Sequence, residues 1–319
     1  MKTLILTQHD NEIIDSLLSK LIVNYSSPSE TKFLLNARIY ANYLPESILY
    51  VLNNFRYDDN DDGVLLLKGV DIDDEKIGKT PSYTGKDKDE NSAIRESFFL
   101  ILLSSFIGYP IGWKSQRDGA LINSIIPLRE SMNEQLSTGC IDLNWHTEEA
   151  FHQFRADYLC LMCLRNKDKV PTTIGSIKNI KIKDSIKKIL FENNFIFLKD
   201  NNFVTTDTSE ILEPIMFGDF NSPYIKIDPS FMKVEAGNDR AKSALEIVIK
   251  EIQKNLQEVV LNKGDVLFID NYRVVHGRKA YTPRFDGTDR WLKRVNIAID
   301  LRKSRALRET SNFHVIATQ

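Results

Sequence analysis

Cysteine is scarce in this chain: Cys140, Cys160 and Cys163 are its three thiols in 319 residues. So small and odd a number excludes a disulfide framework. Cys160-Leu161-Met162-Cys163 has C-x-x-C spacing, but no second pair exists to complete a tetrahedral zinc site. The pair lies in an apolar run at 158–164, and free cysteine is among the most buried residue types, so both thiols are expected inside a core strand. Long hydrophobic runs are also missing. The longest, 98–103, falls far short of the roughly 20 residues a membrane span needs. The N-terminus turns polar at Gln8 before a signal-peptide core develops, so a cytoplasmic protein is expected. Charge of one sign is absent too: 42 basic against 44 acidic residues give a net charge of −2. That balance leaves no basic footprint for nucleic acid. No repeat, low-complexity tract or linker divides the chain, and one domain over 1–319 is expected.

What remains is an ordinary globular composition, 42% hydrophobic and 27% charged, large enough to bury a sizeable core. Helical spacing of Ile13, Ile14, Leu17, Leu18, Leu21 and Ile22 predicts a first helix over 11–25. Ser27-Pro28-Ser29-Glu30 has the form of a capping box opening a second, and Pro45 opens a third. An acidic turn at 58–63 lacks the twelfth-position Glu of a calcium loop and leads into a strand at 64–67. The polar stretch 82–92 is expected as an exposed loop or the edge of a lid. A buried helix over 93–106 stops at Gly108-Tyr109-Pro110. Short strands follow, at 121–125, 141–145, 158–164, 172–177, 224–227, 266–269 and 292–301, with helices near 184–192 and 239–256. Helices first and strands later predict an α+β fold, mainly helical over 1–110, with a β-sandwich or barrel core over 111–310.

The informative residues lie in two segments. Trp145-His146-Thr147-Glu148 carries an H-x-E, and strand side chains repeat every two residues, so His146 and Glu148 can share one metal. The distant His276, in Asn271-Tyr272-Arg273-Val274-Val275-His276-Gly277-Arg278, can close a 2-His-1-carboxylate face for Fe(II) that leaves positions open. Beyond it, Arg290, Leu292, Arg294 and Asn296 fall on one face if 290–299 is a strand. Two arginines there are either solvated, paired with acids on neighbouring strands, or held for two carboxylate ligands that a planar fork suits. His152, four residues past the H-x-E, would be a fourth protein ligand where this site type takes three and is expected in a loop beside the site, and His9 and His314 have no partner pattern.

The run His146-Thr147-Glu148-Glu149-Ala150-Phe151-His152-Gln153-Phe154-Arg155-Ala156-Asp157-Tyr158, with Cys163-Leu164-Arg165-Asn166, resembles the clavaminate synthase-like Fe(II)/2-oxoglutarate oxygenases. So does 270–278, continuing to Gly287-Thr288-Asp289-Arg290-Trp291-Leu292-Lys293-Arg294. The resemblance spans about 41–302 and is nearest to the hydroxylases of free arginine, asparagine and lysine. It implies a distorted double-stranded β-helix (jelly roll) core with flanking helices. It implies Fe(II) on His146, Glu148 and His276, with O2 and 2-oxoglutarate as co-substrates and ascorbate as reductant. Arg290 would bind the distal carboxylate of 2-oxoglutarate, assisted by Thr173, with Thr172 a close competitor. Arg294 would take the substrate α-carboxylate, and Gln116 with the free oxygen of Glu148 its α-amino group. Glu148 occupies the place where amino acid halogenases carry a small residue, so hydroxylation is expected.

In arginine hydroxylases two acids, two residues apart, grip the guanidinium. Here Asp228 fits the first, while Ser230 departs from the second. One carboxylate plus a hydroxyl suits an ammonium better than a five-donor guanidinium. The expectation is therefore hydroxylation of a free basic L-amino acid, L-lysine first, at C4 or C3. Arginine, asparagine and ornithine remain as alternatives. Asp228-Pro229 also has the form of an ordinary turn. A reading of another class is a non-catalytic jelly-roll binding protein.

Overall fold

Apolar stripes at helical spacing wind the N-terminal third around one long buried helix. In chain order the elements there are β1 (Lys2–Ile5), α1 (Gln8–Asn24), α2 (Thr31–Ala41), α3 (Glu46–Tyr57), β2 (Val64–Lys68), α4 (Asp74–Ile77), α5 (Lys86–Asn91) and α6 (Ile94–Ile107). The computed structural model describes residues 1–58, 61–199, 211–311 and 313–317. Asp59 and Asn60 of the acidic turn lie outside the described residues. A capping box does open the first helix, but it is Thr7 with Asp10: Thr7 Oγ1 accepts from Asp10 N at 3.1 Å, and Thr7 N donates to Asp10 Oδ2 at 2.8 Å. The motif at Ser27 instead folds a turn ahead of α2, where Ser26 N donates to Glu30 Oε2 at 3.1 Å and Glu30 caps the helix with its backbone alone.

The strands follow as β3 (Tyr109–Trp113), β4 (Ile122–Ile125), β5 (Leu143–His146), β6 (Tyr158–Arg165) and β7 (Thr172–Ser176), then α7 (Asp184–Leu190). Next come β8 (Phe195–Phe197), β9 (Leu212–Glu213), β10 (Met216–Gly218), β11 (Pro223–Ile225) and β12 (Met232–Val234). After α8 (Asp239–Lys254) come β13 (Gln257–Val259), β14 (Val266–Asp270), β15 (Val274–Arg278), β16 (Trp291–Ala298) and β17 (Val315–Ile316).

An eight-stranded sheet runs in the order β1-β2-β14-β6-β16-β3-β17, with β4 also on β16; a four-stranded sheet runs β13-β7-β15-β5. β6 sits centrally in the first and is buried along its whole length, as its unbroken apolar run requires. Its two cysteines divide between the faces. Cys160 packs toward α6 and the N-terminal helices, Cys163 toward the second sheet, and neither can share a metal with the other. The two sheets meet through Leu161, Leu267 and Leu292 on one side and Ile174 and Val274 on the other. On the outer side of the small sheet, Val275 joins a third cluster with α7 and α8. The layers are thus helices, large sheet, small sheet and a helical lobe. Among the described residues no helix is long and apolar enough to cross a membrane.

The stretch expected as an exposed loop at 82–92 departs from that expectation. It contains α5, whose Asp89 and Glu90 are buried. Polar composition read as exposure because the cations that receive this segment, Arg117 and Lys293, come from distant parts of the chain.

Candidate iron and substrate site

β5 ends in His146, and the residue directly opposite on β15 is His276. Glu148 lies two residues beyond His146, where the chain leaves the sheet. One ligand atom from each of the three lies within 4.8 Å of the others. Glu148 Oε2 is 3.3 Å from His276 Nε2 and 3.8 Å from His146 Nε2. His146 Nδ1 lies 2.8 Å from the Asn144 carbonyl, which can only accept, so Nδ1 carries a hydrogen and Nε2 faces the carboxylate. Burial works against charge on His146, yet Glu148 and Asp228 lift its imidazole to about 9. Burial pushes the His276 imidazole down. Burial also tends to raise the Glu148 carboxyl, but Arg294 and the two imidazoles hold it well below the usual carboxylate range. Glu148 Oε2 is buried without a hydrogen-bond partner. Two imidazole nitrogens and this carboxylate oxygen on one face fit Fe(II) of the facial type.

The backbone around these side chains is held from both directions. Between the two candidate ligands, Thr147 turns away: its Oγ1 donates to Ile227 O at 3.1 Å and accepts from Ile227 N at 3.0 Å. That pair of bonds fixes the residue immediately before Asp228. On the other side, Asn271 Oδ1 accepts from Glu148 N at 2.8 Å, and its Nδ2 donates to Glu148 O at 3.0 Å. Gly277 follows His276 because nothing larger fits; a Cβ there would lie 2.5 Å from the Leu143 carbonyl oxygen. Glu149, next to Glu148, takes the left-handed region at φ +50°, a conformation that costs about 1 kcal/mol or more outside glycine.

A cavity of about 330 Å3 opens beside the three residues. Gln116, Asp228, Arg290 and Arg294 all line it. Arg290 is buried, and its Nε and Nη1 have no acceptor. Burial, with Arg278 nearby, pulls its guanidinium down to about 10. Such a group favours an anion strongly. Arg294 pairs with Glu148 Oε1 and keeps its buried Nε unpartnered. Asp228 Oδ1 accepts from Ser230 N at 2.9 Å and Phe231 N at 3.3 Å, and burial raises its carboxyl.

Thr173 does not face this cavity; Thr172 does. The pleat decides it. Thr172 pairs with Arg278 and Ile174 with His276, on the inner face, whereas Thr173 pairs with Gly277 and points to the other side. His152 is not among the converging residues: its Nδ1 accepts from Phe154 N at 3.0 Å, its ring lies among Trp113, Phe151 and Phe154, and burial pushes it down to about 4. Sequence reading missed Arg117, Gln135 and Asn144, which also line the cavity. Asn144 Nδ2 donates to Gln135 Oε1 and to Ser230 Oγ, both at 3.2 Å. None of the three belongs to a spacing that marks a site.

Comparison with known proteins accords with this geometry. A family profile described as taurine catabolism dioxygenase TauD, TfdA family, matches residues 181–296. The chain is 37% identical to an enduracididine beta-hydroxylase of Streptomyces hygroscopicus, over 99% of this chain and 100% of that protein. The chain belongs to the clavaminate synthase-like Fe(II)/2-oxoglutarate oxygenases. This oxygenase is also 30% identical to an L-ornithine/L-arginine 3-hydroxylase of Catenulispora acidiphila, over 99% of this chain and 100% of that one. Among solved structures it is similar to the non-heme iron oxygenase OrfP in complex with Fe, succinate and (3S)-hydroxy-L-Arg, with TM-score 0.93 and 35% identity over 99% of this chain and 100% of OrfP. OrfP has also been solved with Fe and alpha-ketoglutaric acid. The oxygenase is thus an Fe(II)/2-oxoglutarate-dependent enzyme of the amino acid hydroxylases, and the family's fold, with helices and mixed sheets, is the one observed.

Proposed function

We propose that this enzyme hydroxylates a free basic L-amino acid, with arginine as first choice and Fe(II) held by His146, Glu148 and His276. The observation that carries the reading is the convergence of those three side chains beside a cavity with a cation-rich wall and a half-buried carboxylate, Asp228. Iron bound there with 2-oxoglutarate and O2 supplies the oxidant that places one oxygen atom on an unactivated C–H bond, the second oxygen leaving in succinate as CO2 departs. Ascorbate keeps the metal ferrous.

The protein's share is binding and orientation. Arg290 neutralises the distal carboxylate of 2-oxoglutarate, with the Thr172 hydroxyl beside it in the role first expected of Thr173. Arg294 has donors beyond those given to Glu148 and takes the α-carboxylate of the substrate. Gln116 and Glu148 Oε1 receive its α-amino group. Asp228 takes the basic end. The same reading treats the two packed sheets as a distorted double-stranded β-helix and 1–319 as one oxygenase domain.

Lysine, the expectation from Asp228 and Ser230, moves to second place. Gln135 Oε1 and Ser230 Oγ stand with Asp228 on the cavity wall and offer acceptors in several directions, which suits a planar five-donor guanidinium. The relatives named above point the same way. Asp228 as a lone carboxylate is what favours lysine.

Anaerobic reconstitution with Fe(II), ascorbate and 2-oxoglutarate, then air, tests the proposal against the common L-amino acids and ornithine by mass spectrometry. Arginine gaining one oxygen, with matching succinate, is the expected result. Product from lysine alone reverses the substrate order. Succinate with no hydroxylated amino acid rejects a free amino acid substrate.

A further inference from the structure

Arg117 is one of four arginines on the cavity wall, with Arg278, Arg290 and Arg294, and follows Gln116 directly. Its Nη1 donates to Asp89 Oδ2 at 2.9 Å and to the Ser124 carbonyl at 2.8 Å. Its Nε and Nη2 donate to no acceptor among the described residues. Ser124 is the register partner of Lys293, and Asn123 of Arg294, so the Ser124 carbonyl brings Arg117 alongside Arg294. The backbone is bent to allow this: Arg117 and Asp118 take φ values of +46° and +54°, both in the left-handed region. Two such residues in succession, immediately after Gln116, hold strain that surrounding contacts must overcome.

Asp89 is what holds Arg117 in place. It is fully buried on α5, where burial pushes its carboxyl upward and Arg117 opposes that. Lys293, the neighbour of Arg294 on β16, grips the same residue from behind. Its Nζ donates to Asp89 O at 2.7 Å, to Ser97 Oγ at 2.6 Å and to Ser92 O. One residue therefore receives a cation from each of two cavity-lining segments. A buried ion pair adds little net stability over apolar packing, so stability alone gives no account of this cluster.

We propose that Asp89 is a positioning residue that aims Arg117 at the carboxylate of the amino acid substrate, making Arg117 a second specificity determinant beside Arg294. This rests on the reading that the substrate is a basic amino acid bound through Arg294. An ion pair serving the fold alone would pin α5 and would not distinguish a ligand carboxylate from its amide.

Calorimetric binding to the full chain, held anaerobically with Fe(II) and 2-oxoglutarate, separates these cases without turnover. The probes are L-arginine and L-argininamide. Wild type is expected to prefer L-arginine, and Arg117→Gln and Asp89→Asn to cut that preference about tenfold or more, the effect of a charge-assisted hydrogen bond. Binding of 2-oxoglutarate stays unchanged in both, and Arg117→Lys, which keeps the charge, restores part of the preference. A wild-type preference that persists undiminished in Arg117→Gln and Asp89→Asn overturns the inference alone. Wild type that binds neither probe overturns the basic amino acid reading and this inference with it.

Discussion

Asn271 and Glu148 stand 123 residues apart in sequence, yet one carboxamide closes both polar groups of the Glu148 backbone, at 2.8 Å to its N–H and 3.0 Å to its carbonyl. A second bond from the same Nδ2 reaches Ala156 O at 2.8 Å. The carboxylate that completes the candidate metal face is therefore oriented by a residue that never approaches the metal. Asn271→Ala is predicted to weaken Fe(II) binding about 10- to 100-fold, the range for lost ligand support. Competition against a chelator measures it, and an unchanged affinity removes Asn271 from that role.

Arg290 combines burial with donors that meet no acceptor. Leaving such a cation in the fold costs stability that a carboxylate ligand offsets. Arg290→Met should therefore raise the thermal midpoint of the ligand-free chain by about 2 °C while weakening 2-oxoglutarate binding about 100-fold. A fall in the midpoint would mean that the guanidinium has a structural partner.

Asp228 lines the same cavity, its place set by the bonds between Thr147 and Ile227. Asp228→Ala is expected to raise KM for the basic amino acid about 10- to 100-fold, the loss of a charged hydrogen-bond partner, and to leave KM for 2-oxoglutarate within about twofold. Steady-state kinetics with each substrate varied in turn decides it. Equal effects on both constants would place Asp228 outside the substrate subsite.

Lys293 is buried against the carboxylates of Asp89, Glu90 and Glu96, and burial lowers its amine from 10.5 to about 7. Between those values the unfolded chain holds a proton that the folded chain has released. Stability from this group therefore rises with pH across that window, by at most about 1.4 kcal/mol per unit, and is lost as pH falls through 7. The stability difference between wild type and Lys293→Met should grow from pH 7 to pH 9 in urea denaturation. A flat difference would show that the amine keeps its proton.

The candidate metal face was legible from the H-x-E spacing of His146 and Glu148 with a distant His276 to close it, although Glu148 stands just past the end of β5 and owes its place to the turn there. The strands at β6 and β14 were legible from their apolar runs, since a central strand must be apolar on both faces. The choice between Thr172 and Thr173 was not. It depends on the phase of the pleat, which register with Arg278 and Gly277 sets. Arg117, Asp89 and Lys293 were invisible for a related reason. Buried charges resemble solvated ones in sequence, and what distinguishes them is a partner far away along the chain. The Ser27 motif failed differently: its side chains satisfied local turn bonds before any helix began.

The pairing of His146 with His276 also sets an order of events during folding. The two histidines meet only when β5 and β15 have come into register, a contact of very long loop closure and so of late formation. A nascent chain that ends before Val274 carries His146 and Glu148 but not His276. The candidate metal face is thus a product of the assembled fold, complete only once β5 and β15 are paired.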